Sequence, residues 1–205
     1  MKRIVCILSL LCVITVSLAS CSFSLGESDP ACDRINEMLK STPYSSITLT
    51  TTVTSDFGLE TTSEYILFPE EGGVNIQYKV EYLSTFSTDG VLTSPDSYKT
   101  VKSGTAMYLD GELISQTGDP VDLGEGIGFP GFNFKKSDFL AIAEEGDSYV
   151  GFASDTSSIR DYTLDVANDS NLTVTVAHSG ELVTSVSFEY KATNGCSVIQ
   201  TYTYN

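Results

Sequence analysis

The chain has no tryptophan, a single histidine and only 11 basic residues against 27 acidic ones. Each shortage removes a class of function. A formal net charge of −16 has the wrong sign for a nucleic-acid backbone, which is held by clustered Lys and Arg. A serine or cysteine nucleophile usually recruits a histidine, and the only one, His178, reads as a strand-end residue beside the Ser179-Gly180 turn. G-x-S-x-G, C-x-x-C and H-E-x-x-H are all missing, and a nitrogen- or sulfur-ligated metal would need more donors than one histidine and a few scattered cysteines supply. The sequence therefore predicts no enzyme, no metal and no cofactor. After residue 20 no apolar run approaches the ~20 residues a membrane-spanning helix requires.

What is present begins with Met1 to Cys21. Lys2 and Arg3 precede an apolar block from Ile4 to Leu18, and Leu18-Ala19-Ser20-Cys21 closes it. A basic start, a short apolar block and small residues before a cut are the parts of a secretory signal. A cysteine directly after Ala19-Ser20 matches the bacterial lipobox, so the chain resembles a bacterial lipoprotein precursor. The resemblance implies cleavage between Ser20 and Cys21 and a diacylglycerol thioether on Cys21. It also implies a cell-membrane location on the extracytoplasmic side. The expected division is residues 1–20 as signal peptide, 21–29 as lipidated cysteine and tether, and 30–205 as one domain.

Losing Lys2 and Arg3 with the leader takes the net charge from −16 to −18. Anionic headgroups repel so acidic a surface, which leaves the acyl chains to hold it. Among the five cysteines, Cys6 and Cys12 fall in the leader and Cys21 takes the lipid, leaving Cys32 and Cys196. In an exported domain that pair is a candidate disulfide, worth about 5 kcal/mol at the upper end of the chain-entropy model. Two separate thiols are the alternative.

The folded part opens with one helix over Pro30 to Ser41. Asp29 suits the cap, Pro30 the first position, and Thr42-Pro43 the stop. Cys32, Ile35, Met38 and Leu39 share a face. From Ser45 the apolar period becomes two: Ile47, Leu49 and Val53, then Leu59 to Phe68, then Val74, Ile76, Tyr78, Val80 and Tyr82. Ser84 to Ser97 reads as a loop. Asp110-Gly111 sets a type I′ hairpin between Tyr98–Leu109 and Glu112–Thr117. Phe139–Ala143 and Tyr149–Ala153 form another hairpin. Leu172–His178, Glu181–Tyr190 and Cys196–Tyr204 close the chain as a meander, with a short helix or loop around Ile159 and Tyr162 before them.

About ten strands joined by tight turns predict a mostly β (α+β) fold, a curved antiparallel sheet or half-barrel packed on the N-terminal helix. This order of lipobox, tether, helix and two meanders resembles the half-barrel of LolA/LppX-type lipoproteins and carriers, whose hollow takes acyl chains. A closed barrel and a two-sheet sandwich stay open as alternatives.

The candidate ligand lining is Ile76, Tyr78, Val80 and Tyr82 with Leu182, Val186 and Phe188. The expected ligand is a lipid or another apolar group. The alternative is a structural or interaction module whose same face is filled by the helix, because lining and core are identical as alternating apolar residues. Phe129, Phe132 and Phe134, on the glycine-rich crossover, read as a core plug or as a lid. Gly126-Ile127-Gly128-Phe129-Pro130-Gly131 satisfies G-x-G-x-x-G but lacks the strand-to-helix context of a phosphate cradle. Glu70/Glu71 and Glu144/Glu145 read as solvated turn charge. Asp165, Asn168, Asp169 and Asn171 are oxygen-rich without the spacing of a calcium loop.

Replacing Cys21 by Ser removes the only lipid acceptor that the lipobox reading allows. The expected outcome is loss of the protein from the membrane fraction and loss of acyl labelling; retention equal to wild type refutes the anchor.

Overall fold

The structure, a computed structural model, describes residues 29–55, 59–85, 97–121, 129–154, 158–163, 166–167 and 170–205. Helix α1 spans Pro30–Ser41. Asp29 caps it by accepting from the Ala31 N–H at 3.0 Å, and Thr42 ends it with its N–H on the Met38 carbonyl. Ten strands follow in chain order. The first five are β1 Ile47–Thr54, β2 Leu59–Glu70, β3 Gly73–Thr85, β4 Ser97–Leu109 and β5 Glu112–Gly118. The second five are β6 Phe139–Glu144, β7 Ser148–Ala153, β8 Thr173–Ser179, β9 Leu182–Lys191 and β10 Ser197–Tyr204. Short 3-10 turns lie at Lys136–Asp138 and Ser158–Tyr162.

All ten strands belong to one antiparallel sheet in the order β5-β4-β3-β2-β1-β10-β9-β8-β7-β6. It is two five-strand meanders joined by a long-range pair, β1 on β10, in register from Ile47 opposite Tyr204 to Thr54 opposite Ser197. The sheet does not close, since β5 and β6 stay at opposite edges. The predicted mostly β sheet with its N-terminal helix is therefore the observed architecture. The closed barrel and the sandwich are both set aside. Strands β3 and β4 continue to Thr85 and start at Ser97, so they take up both ends of the expected loop, whose remainder lies outside the described residues. Asp110 and Gly111 have φ of 50° and 81°, the left-handed pair that a type I′ turn requires.

Side-chain alternation gives the sheet two unlike faces. Inward rows include Leu67–Ile47–Tyr204 and Tyr78–Tyr65–Leu49–Tyr202–Val186–Val176. Outward, Thr48, Thr50 and Thr52 stand opposite Thr203, Thr201 and Ile199. β-Branched residues suit both faces, so hydroxyl threonines hold the strands extended while leaving the surface polar. Among the described residues no helix is long and apolar enough to cross a membrane.

Two features position α1 over the inward face. Cys32, Ile35 and Met38 are buried, each contributing about 1.5–3 kcal/mol at most if taken fully out of water. Thr42 then ties the helix end to β9: its hydroxyl donates to the Met38 carbonyl at 2.7 Å and accepts from the Val183 N–H at 2.9 Å. That N–H sits at a bulge. Ala177 pairs with Ser185 but His178 pairs with Val183, so Thr184 is an extra residue in β9. One extra residue reverses side-chain parity beyond it. Val183 is consequently buried, and Leu182, expected on the lining, points outward at 43% exposure.

Phe188→Ala is expected to cost about 3–5 kcal/mol, because a fully covered ring leaves a cavity. Ile199→Ala, on the outer face at 49% exposure, should cost about 0.5 kcal/mol or less. Urea unfolding of the two variants checks the assignment of faces.

Candidate functional site

The predicted lining is brought together as a floor, with two corrections. Ile76, Tyr78, Val80, Val186 and Phe188 are buried on the inward face. Tyr82 is on the same face but only half-buried, and Leu182 is excluded by the β9 bulge. Sequence alternation could not place Leu182, because a bulge has no signature in a Thr-Ser step.

The floor is occupied by the protein itself. The crossover between β5 and β6 returns over it, and Phe132 and Phe134 are buried there. Phe132 is the centre of an aromatic cluster, with ring centroids 4.9 Å from Tyr162, 5.1 Å from Tyr202, 5.7 Å from Phe188 and 5.8 Å from Phe134. Edge-to-face geometry at these distances adds to the area buried. Phe129 is half-buried and stacks on Tyr44 at 5.8 Å. Phe132 and Phe134 therefore plug the core, as one of their two readings expected. The glycine motif from Gly126 to Gly128 lies outside the described residues.

Backbone recognition fixes the plug. The Asn36 side chain donates to the Phe134 carbonyl at 2.7 Å and accepts from its N–H at 2.9 Å. A carboxamide thus pairs with one residue of the crossover as a neighbouring strand would, and seats Phe134 beneath α1. At the other end of the crossover, the Tyr78 hydroxyl donates to the Asp119 carbonyl at 2.7 Å, with the Thr117 carbonyl also within reach of the same proton at 3.1 Å. Gly104 makes room for it, since a Cβ there would collide with Tyr78 Oη and the Thr117 carbonyl. No sequence motif announces Asn36, which occupies an ordinary helix position. Gln200 is the polar point of the floor: its amide donates to the Tyr162 carbonyl at 3.0 Å and to Tyr202 Oη at 2.7 Å.

Asp138 is a buried acid that the sequence reading left unremarked. It accepts from the Lys135 N–H at 2.8 Å, the Ser158 N–H at 3.2 Å and the Ser158 hydroxyl at 3.0 Å. Those bonds join the two 3-10 turns and give the carboxylate a structural role. Glu70, Glu71, Glu144 and Glu145 are exposed, as expected of turn charge. His178 sits at the end of β8 with Nδ1 3.1 Å from the Gly180 carbonyl and its ring 5.5 Å from that of Tyr149. Among the described residues no group of three or more His, Cys, Asp and Glu could hold a metal ion. Of the oxygen-rich set, Asp165, Asn168 and Asp169 lie outside the described residues, as do Ser20 and Cys21.

Cys32 and Cys196 are free thiols, so the disulfide weighed from their number is not formed. They sit in different surroundings. Cys32 is buried beneath the first turn of α1, beside Asn36 and Phe134. Cys196 is in the β9–β10 turn, where its N–H donates to Asn194 Oδ1 and its carbonyl accepts from the Ala192 N–H. Burial, then the nearby Asp29, Asp138 and Asp33, pushes the Cys32 thiol from 9.0 up to about 12. Such a thiol is a poor nucleophile at neutral pH.

Open clefts among the described residues include two beside the core. One, of about 430 Å³, lies between the start of α1 and the segment Asn133–Ser137. The other, of about 480 Å³, is on the outer face, where Phe68, Asn75, Met107 and Ser115 form a cross-strand row. Comparison with protein-family models, with curated proteins and with solved structures returned no match.

A thiol reagent at neutral pH is expected to modify Cys196 in the folded protein and Cys32 only on unfolding. Burial also raises Tyr202 from 10.0 to about 12 and pushes Tyr204 up. Between pH 9 and 12 the unfolded chain gives up these protons while the folded chain keeps them. Stability is therefore complete below pH 9 and falls as pH rises toward 12. Urea midpoints at pH 8, 9.5 and 11 should fall in that order.

Proposed function

We propose that the protein is a lipid-anchored, non-catalytic module of the extracytoplasmic membrane surface, acting through its exterior rather than through a ligand held in its sheet. The observation that carries this reading is the occupied floor. Val186 and Phe188 retain 0% exposure, with Phe132 against Phe188 and α1 packed on β9. A lipid carrier of half-barrel form needs that volume empty, because ligand and core side chains compete for one apolar face. The lipobox at Leu18-Ala19-Ser20-Cys21 supports the membrane location, and a sequence with a single histidine and none of the common catalytic motifs supports a non-catalytic role.

Native mass spectrometry of the domain expressed from Ser22 in a lipid-containing host separates the two readings. A clean apo mass, together with no saturable binding of an apolar fluorescent probe, is expected. Co-purifying lipid, or probe binding abolished by a Val186→Trp block, overturns the filled-core reading in favour of a carrier.

A further inference from the structure

Among the described residues, Leu140 is the most exposed large apolar side chain, at 75%. Its position has a local cause. Phe139 pairs with Ala153 and Ala141 with Phe152, so Leu140 is the extra residue of a bulge in edge strand β6. Leu140 and Ala141 together oppose Phe152, itself 50% exposed. The bulge thus places two large apolar groups at one end of one edge.

Two charges stand beside them. Lys135 and Lys136 open the 3-10 turn that leads into β6, are exposed, and are two of the nine basic residues that remain once Lys2 and Arg3 are removed. They are held at the same end. The Ser154 N–H donates to the Asp138 carbonyl at 2.8 Å and its hydroxyl to the Ser137 carbonyl at 2.9 Å, fastening the end of β7 to the turn that carries the lysines. Across the cleft of about 430 Å³, Lys135 and Lys136 share a lining with Asp29 and Asp33, at the point where the N-terminal segment meets α1.

We infer that this end of the domain, Lys135, Lys136, Leu140 and Phe152, is its membrane-contact surface and that it binds a phospholipid bilayer. The inference rests on lipid attachment at Cys21. Eight residue steps lead from Cys21 to Asp29, a reach of roughly 28 Å at full extension. Ten strands span about 45 Å across the sheet at the usual inter-strand spacing, and the 13-residue strands run about 43 Å. The tether is shorter than either dimension, so the Asp29 end of the domain stays against the bilayer. Lysines there meet headgroup phosphates while the exposed leucine and phenylalanine enter the interfacial zone. The remaining surface, which carries most of the net charge of −18, is turned away, and its repulsion by an anionic membrane favours the same orientation.

The chain lacks tryptophan, so a single indole reports one position without background. Full-length lipidated Leu140→Trp and Ile199→Trp proteins are reconstituted into phosphatidylcholine–phosphatidylglycerol vesicles carrying brominated acyl chains. Both are first checked for wild-type far-UV circular dichroism. The Leu140→Trp emission is expected to shift to the blue and to be quenched by the bromines, while Ile199→Trp keeps the emission of a water-exposed indole. Adding Lys135→Glu and Lys136→Glu to Leu140→Trp should diminish the shift and the quenching. Flotation of both proteins with the vesicles, with the indole of Leu140→Trp as unquenched as that of Ile199→Trp, overturns the orientation alone. Failure of the protein to float overturns the Cys21 anchor, and the contact surface with it.

Discussion

The pairing of β1 with β10 is the constraint on which the rest of the molecule depends. Each five-strand meander could assemble from hairpins, but alone each would present one apolar face to water. Joining Ile47–Thr54 to Ser197–Tyr204 makes them one sheet and brings Leu49, Tyr202 and Val186 into a continuous inward row. The join costs the closure of a loop of about 150 residues, and such non-local contacts make folding slow. It also removes β1 and β10 as exposed edges, leaving β5 and β6 at the two ends of the sheet.

A ten-strand sheet curved over one apolar face needs a cover, and here the cover is attached by backbone hydrogen bonds as well as by packing. Thr42 holds α1 to the Val183 N–H, while Asn36 holds the Phe134 backbone to α1. Helix, crossover and sheet are thereby registered against one another at single residues. Phe132 completes the arrangement by touching rings from the crossover, β9, β10 and the second 3-10 turn. The same closeness acts on the buried ionisable groups. Cys32, Tyr202 and Tyr204 lie where ionisation is penalised by burial, so the groups that could have been reactive are kept protonated.

Bulges do two different jobs at the two ends of the second meander. In β9, the extra Thr184 turns Val183 inward and directs its N–H at the helix cap. In β6, the extra Leu140 is thrown outward at the end of the strand that follows Lys135 and Lys136. A surface anchored by one lipidated cysteine is free to rotate about its tether, and a small amphipathic contact at the tether's root would remove that freedom. Core and exposed edge are thus both shaped by single inserted residues.

Much of this was legible in the residues. Helix ends at Asp29 and Thr42, the Asp110-Gly111 turn and the inward alternation of Ile76, Tyr78 and Val80 follow from capping, left-handed turn geometry and period two, all local properties. So does the lipobox reading of Cys21, which depends on adjacent side chains alone. The inversion of Leu182 and Val183, the separation of Cys32 from Cys196, the role of Asn36 and the choice between a hollow and a filled sheet were not legible. Each depends on groups far apart in the chain, or on one unpaired residue whose effect exists only once its partner strand is in place. Local chemistry determined the strands, the helix and the expected anchor. Only the tertiary structure brings Phe132, Phe134 and α1 onto the inward face, because which groups an apolar side chain meets is a property of its neighbours in space.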